Sequence, residues 1–306
     1  MVPTASVSRS TCWLAVLGAM WLSPAAALRA QVPDLPLVAQ GEVRSQLTSA
    51  PEPRLPMLAG ASGISGPVHV EVDVAADGRA TAVRLLHGSP LLQEAATAAV
   101  ETWRFPLRVR GGAPTAYRTS MLVTFAGRPL TAEDAAALAV YGDATIVCAD
   151  AARRQDFRMA VSRCRLAGMV ADRLTELDRL LPGRPKRLLG EALIELGRYA
   201  EAVRVLEWVE SRLRQIPFFS LDRTLALRGL GRAHAALGQH EAALRAYGQA
   251  ERRLGEAHSG APRDAPFRAE VAAYLREMAP DYLRLLDEAG RTADAARLGA
   301  RVAALP

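Results

Sequence analysis

Val68-His69-Val70-Glu71-Val72-Asp73-Val74, followed by Ala76-Asp77-Gly78 and then Val83-Arg84-Leu85-Leu86-His87, is the stretch whose alternation decides the fold. Valine recurs at every second position against His69, Glu71 and Asp73, the period of a half-buried strand. Asp and Gly tolerate positive φ, so Asp77-Gly78 predicts a turn, and Val83, Leu85 and His87 continue the alternation on a second strand. Ser89 is placed to cap a helix whose first residue is Pro90, where a missing N–H costs nothing. Leu92, Ala95, Ala96, Ala99, Val100 and Trp103 share one face of that helix, which Trp103-Arg104-Phe105 closes. After the loop Gly111-Gly112-Ala113-Pro114, residues Tyr117, Thr119, Met121, Val123 and Phe125 alternate on a third strand. The expectation over 57–130 is a small α+β domain of ββαβ order with an antiparallel sheet.

That order of spaced elements, from Gly-x-Val-x-Val-x-Val through Asp-Gly, Ser-Pro-Leu and Trp-Arg-Phe to a terminal Val-x-Phe, resembles the C-terminal domain of the TonB family. The resemblance implies a module that pairs an exposed strand edge with an extended segment of an outer-membrane receptor, through main-chain hydrogen bonds. The edge it implies is the last strand, with Tyr117, Thr119, Met121, Val123 and Phe125 as its residues.

Beyond Pro129 the composition turns to Ala, Leu, Arg and Glu at helical spacing. Gly197-Arg198-Tyr199-x-x-Ala202-Val203, Gly238-Gln239-His240-x-x-Ala243-Leu244 and Gly290-Arg291-Thr292-x-x-Ala295-Ala296 repeat one motif, and Gln155-Asp156-Phe157-x-x-Ala160-Val161 is a degenerate copy. This resembles the tetratricopeptide repeat, a helix–turn–helix unit of about 34 residues. The spacing here is longer, so helices or loops are lengthened, with Pro217-Phe218-Phe219 and Gly260-Ala261-Pro262 where insertions are expected. The expectation for 131–306 is an all-α solenoid of TPR-like hairpins. Such arrays hold peptides in a groove lined by the first helix of each hairpin, which here carries Arg187, Glu191, Glu195, Arg228 and Arg232. Those arginines either grip a carboxylate in two-pronged fashion or are ordinary solvated surface charges.

The repeat register also sets Cys148 where the next copy has Gly190, and Cys164 where it has Leu206. These are facing positions of one hairpin, so the pair is either a disulfide or two buried thiols. A bridge closing a loop of about 15 residues contributes on the order of 3 kcal/mol in the loop-entropy model.

The N-terminus has the make-up of a secretory signal over 1–30. Arg9 precedes the 11 apolar residues Cys12 to Leu22, then Ser23-Pro24 and a small-residue cleavage site at Ala25-Ala26-Ala27. A spanning helix needs about 20 apolar residues, so this core predicts export and leaves no stable membrane span after cleavage. Pro33, Pro36, Pro51, Pro53 and Pro56 mark 31–56 as an extended linker.

Among 38 basic residues only Lys186 is lysine, and the net charge is +6. The arginines are interspersed with acids and form no stripe with interleaved aromatics, which argues against nucleic acid. No Gly-x-Ser-x-Gly elbow, His-Glu-x-x-His, Cys-x-x-Cys or phosphate loop occurs, and the five histidines are scattered. His69 and His87 read as surface residues of a hairpin and His234 as a packing residue of its repeat. No cofactor is implied. Two readings follow: an exported, periplasmic, non-enzymatic scaffold binding protein or peptide partners, or an inner-membrane energy transducer facing the periplasm. The transducer needs a permanent membrane helix, a long linker and, in the family, a membrane histidine, none of which the sequence carries.

Overall fold

The structure, a computed structural model, describes residues 35–61, 64–125, 131–175, 181–215, 219–260 and 266–305. The expected signal over 1–30 lies outside them, as do Pro217-Phe218 and Ala261-Pro262. In chain order the elements are β1 (Leu37–Val38), α1 (Gln40–Arg44), α2 (Met57–Ala61), β2 (Gly66–Val74), β3 (Ala80–His87), α3 (Pro90–Thr102), β4 (Val109–Arg110), β5 (Ala113–Pro114) and β6 (Tyr117–Phe125). The helices α4 (Ala132–Arg153), α5 (Phe157–Arg173), α6 (Gly183–Glu195), α7 (Tyr199–Leu213), α8 (Leu221–Ala236), α9 (His240–Gly260), α10 (Pro266–Glu288) and α11 (Thr292–Ala303) follow.

The ββαβ core is present as β2, β3, α3 and β6. Ser89 caps α3 by accepting from the Leu91 N–H, with Pro90 at the first helical position. Gly78 has a φ of +80°, and a Cβ there would sit 2.5 Å from the Phe105 carbonyl oxygen, so the turn requires glycine. Strand order in the sheet is β1-β6-β2-β3. β2 is antiparallel to both neighbours, from Gly66↔Phe125 to Val74↔Tyr117 on the β6 side. Val68, Val70, Val72, Val74, Tyr117, Met121, Val123 and Phe125 pack with Leu92, Ala96, Val100, Trp103 and Phe105 in one apolar core.

Two expectations are corrected here. β2 is not half-buried: His69, Glu71 and Asp73 on its second face are 1–3% exposed. Nor is 31–56 wholly an extended linker. Leu37 and Val38 run parallel to β6, paired with Arg118 and Thr119, which makes the sheet mixed. Val43 of α1 is fully buried in the sheet core. The physical reason is that Leu37, Val38 and Val43 supply apolar surface between the prolines, and burying one valine contributes about 1.5–3 kcal/mol.

The helices pack as TPR-like hairpins α4–α5, α6–α7, α8–α9 and α10–α11. At the crossing of α6 and α7, a Cβ on Gly190 would lie 2.5 Å from Leu206 Cδ2; at α8 and α9, one on Gly231 would lie 2.7 Å from the Tyr247 ring. A small residue on the first helix thus receives a large one from the second, the ridge-into-groove contact at its closest. In the first hairpin the same two positions are Cys148 and Cys164, joined by a disulfide with Cα atoms 4.7 Å apart. Leu193, Leu206, Leu230, Leu254, Leu275 and Leu286 lie in one core shared by all four hairpins. The sheet and the array together form one compact unit, Leu35–Pro306. Among the described helices α4 alone has the length and apolarity to cross a membrane, and half of that window is buried inside this unit.

Candidate interaction surfaces

The side chains of Tyr117, Thr119, Met121, Val123 and Phe125 are buried to within 1% exposure. Tyr117 donates its hydroxyl to the Pro106 carbonyl at 3.0 Å, and burial pushes its pKa up to about 12. None of the five is presented to solvent, and the backbone border of β6 is not open either. The Arg118 N–H donates to Pro36 O at 2.8 Å, ahead of the β1 pairing. Further along, Arg44 Nη1 donates to Leu122 O at 3.1 Å. The free edge expected at Tyr117–Phe125 is therefore closed by residues 36–44 of the same chain. On the far side of the sheet β3 pairs with β2 alone, and its Leu85 carbonyl accepts from Arg184 Nη1 at 2.8 Å.

The second face of the sheet meets α4 through an apolar contact of Leu122 with Leu138 and Tyr141 and, beside it, through charge. Arg118, 1% exposed, donates through Nε to Asp73 Oδ1 at 2.5 Å and through Nη2 to Asp73 Oδ2 at 3.0 Å. Arg84 spans Glu71 at 3.0 Å and Asp73 at 2.7 Å. From α4, Arg153 reaches Glu71 Oε2 at 3.0 Å, and Asp150 lies 3.5 Å from Arg118 Nη1. Burial alone would raise the Asp73 carboxyl, but hydrogen bonds from Arg118 and Arg84 outweigh it and hold the pKa below the ordinary value. Nearby, Asp143 accepts from the Gln40 N–H at 2.8 Å and from Ser120 Oγ at 3.1 Å, and burial raises its pKa. Gly142 allows α4 to approach: a Cβ there would sit 2.9 Å from Ser120 Oγ and 3.1 Å from His69 Nε2. His69 is thus an interior residue with its ring 5.4 Å from that of Tyr141, not a surface histidine. Sequence reading missed this joint, because an alternating polar face looks like a solvated one.

The five groove residues do come together on α6 and α8, already paired. Arg187 is 6% exposed and holds Glu191 at 2.8 Å and Asp222 at 2.6 Å. Arg228 bridges Glu191 at 3.5 Å and Glu277 of α10 at 2.9 Å, with its guanidinium 5.6 Å from the Tyr274 ring centroid. Arg232 pairs with Glu195 at 2.9 Å. The chain of alternating charges ties the first helices of three hairpins together. An incoming carboxylate would have to displace a resident one, so the three arginines are structural ties rather than an open clamp. Among the described residues no cluster of three or more metal-ligating side chains forms.

Residues 51–126 match the family model described as the Gram-negative bacterial TonB protein C-terminal. Over those residues the sheet domain is similar to the TonB C-terminal domain. The solution structure of the Pseudomonas aeruginosa TonB C-terminal domain is similar at 24% identity, covering 32% of this chain and 100% of that one, with a TM-score of 0.26. Two crystal structures of TPR-like repeats from a Podosopora anserina putative kinesin light chain, one of them of a point variant, are each 18% identical over 55% of this chain. They are covered over 74% and 75% of their length, with TM-scores of 0.41 and 0.40. No curated protein matches the sequence.

Proposed function

We propose that this chain is a non-enzymatic periplasmic scaffold for protein–protein interaction, whose TonB C-terminal-like domain takes up an extended partner segment along β6 when residues 36–44 swing away. A TonB C-terminal-like domain carried on TPR-like hairpins supports a protein-interaction role. The observation that carries the proposal is the way β6 is covered. Its border is held by a two-residue strand, one N–H to Pro36 and one guanidinium from Arg44, all from a Pro-flanked segment anchored by buried Val43 and Gln40, the Gln40 N–H to Asp143 and the Glu42–Arg108 pair. Each main-chain hydrogen bond contributes a net of about 1 kcal/mol and the valine about 1.5–3 kcal/mol, so a partner strand that pairs along more of β6 can outcompete the cover.

The test uses the full chain and a labelled peptide of its own residues 35–44 as a stand-in partner. Val43→Asp, which loosens the cover, is expected to take up more peptide than the unmodified protein. A Val38→Cys/Thr119→Cys disulfide lock is expected to take up none. Equal uptake by locked and loosened proteins overturns the proposal. N-terminal sequencing of fractionated cells decides the cellular half: a start near Leu28 or Gln31 in the periplasm supports the scaffold. An intact Met1 in the inner membrane supports instead a transducer that couples to outer-membrane transport.

A further inference from the structure

Among the described residues, arginines without a carboxylate partner lie on α9 rather than on the α6/α8 face. Residues 245, 248, 249, 252, 255 and 256 recur on one stripe of α9, at the spacing of successive turns. That stripe forms one wall of a cleft of about 710 Å³ whose other wall comes from α11 and whose base includes Tyr282 of α10. Five arginines line the cleft against two glutamates, Glu251 and Glu256. Arg301 is paired with Glu251, and Arg291 and Arg297 share Asp294. Arg245 and Arg252 are both exposed and have no ion-pair partner among the described residues. This differs from the α6/α8 face, where Arg187, Arg228 and Arg232 are each neutralised by a carboxylate.

Shape adds to charge. Between the two free arginines sits Gly248, where a Cβ would lie 3.0 Å from the Tyr282 hydroxyl. One turn past Arg252, a Cβ on Gly255 would lie 2.6 Å from Arg301 Nη1. At these two glycines Tyr282 and Arg301 come close against α9, which sets the base and far wall of the cleft, with arginines along its rim. Arg245 and Arg252 are seven residues apart, so at 1.5 Å per residue their origins are separated by about 10 Å along the helix. A polyproline-II peptide rises about 3.1 Å per residue and returns to the same face every third residue, setting side chains about 9 Å apart. The geometry points to this cleft as a docking site for an extended acidic peptide whose carboxylates recur every third residue. It goes beyond the β6 reading and does not depend on it, since the cleft is built wholly from α9, α10 and α11.

The probe is fluorescein-labelled (Glu-Pro-Pro)4, read by anisotropy against the full chain at low and moderate salt. Saturable binding is expected, weakened at least about tenfold by Arg245→Glu/Arg252→Glu, because two charge-assisted contacts become repulsive. Arg158→Glu/Arg163→Glu, the same charge change on α5, is expected to leave binding within about twofold, since charges beyond a Debye length are largely screened. The proposal is overturned by no saturable binding, by equal loss in the α5 control, or by competition from inorganic phosphate as strong as that from the peptide. Peptide uptake at β6 is read with a different probe, so either result can fail alone.

Discussion

The joint between the sheet and α4 differs in kind from the joints within the hairpins. At α6–α7 and α8–α9 the contact is apolar and depends on shape, a glycine opposite a leucine or tyrosine ring. At the sheet, α4 is held by Arg118, Arg84 and Arg153 threaded among Glu71, Asp73 and Asp150. Apolar contacts tolerate small shifts and lose energy gradually. A buried ion network holds only when every member is present, because a charge left alone in the interior is costly. The polar joint therefore fixes one orientation of the sheet on the array, while the apolar joints supply most of the cohesion.

Arg118 is the place to break the first kind. Arg118→Leu takes from Asp73 its two-pronged partner, leaving it Arg84 alone, removes a charge from beside Glu71 and Asp150, and is expected to cost about 3–5 kcal/mol in denaturant unfolding. A cost below about 1 kcal/mol would mean that water enters the joint and the contrast is false. Acid should act on the same joint in two steps. Asp73 is held below its unfolded value, so its stabilisation is present above about pH 4 and lost as the pH falls through the lower folded value. Asp143 is raised by burial, so its ionised form opposes folding and stability is recovered as the pH falls through its raised value. Urea midpoints should rise slightly in mild acid and then fall. Asp143→Asn should remove the rise and leave the fall.

The next largest effect lies in the first hairpin, where the Cys148–Cys164 bridge replaces the small–large contact of its neighbours. Reduction, or Cys148→Ala/Cys164→Ala, is expected to cost on the order of 3 kcal/mol. Because α4 carries both the bridge and the polar joint, hydrogen exchange should speed up first along α4 and α5. Uniform loosening of α6 to α9 would show that the bridge stabilises the array as a whole. Gly231→Ala probes the purely apolar joint. Its Cβ would enter the Tyr247 ring at 2.7 Å, and the overpacking is expected to cost about 1–3 kcal/mol without any pH or salt dependence.

How much of this was legible depends on the reach of each interaction. Ser89 with Pro90 and the turn at Gly78 are local, so adjacent residues declare them. The repeats were legible through Gly197, Gly238 and Gly290, because each hairpin reuses the same turn. The polar joint was not: the Glu71 partner Arg153 lies 82 positions away, and no pattern around Val68–Val74 separates a buried charged face from a wet one. The same holds for the α6/α8 face. Register placed Arg187, Arg228 and Arg232 together, but Asp222 and Glu277 arrive from other positions and neutralise two of them. Closure of the β6 border was hidden too, since prolines dominate 31–56 and its anchors, Val43, Gln40 and Arg44, find their partners only in the fold.

The smallest expected effect falls where the two regions meet in sequence. Thr131 accepts from the Asp134 N–H at 3.0 Å, and Asp134 accepts in return from the Thr131 N–H at 3.3 Å, closing a capping box on α4. Thr131→Ala leaves the N-terminal donors of α4 to water and is expected to cost about 1 kcal/mol. A helix held only by its neighbours would show that loss as fraying of its first turn. α4 is pinned further along by Asp143, Arg153 and Cys148, so its amides from Tyr141 onward should keep their exchange protection. Protection lost along the entire helix would place the control of its stability at the cap rather than at the ion network.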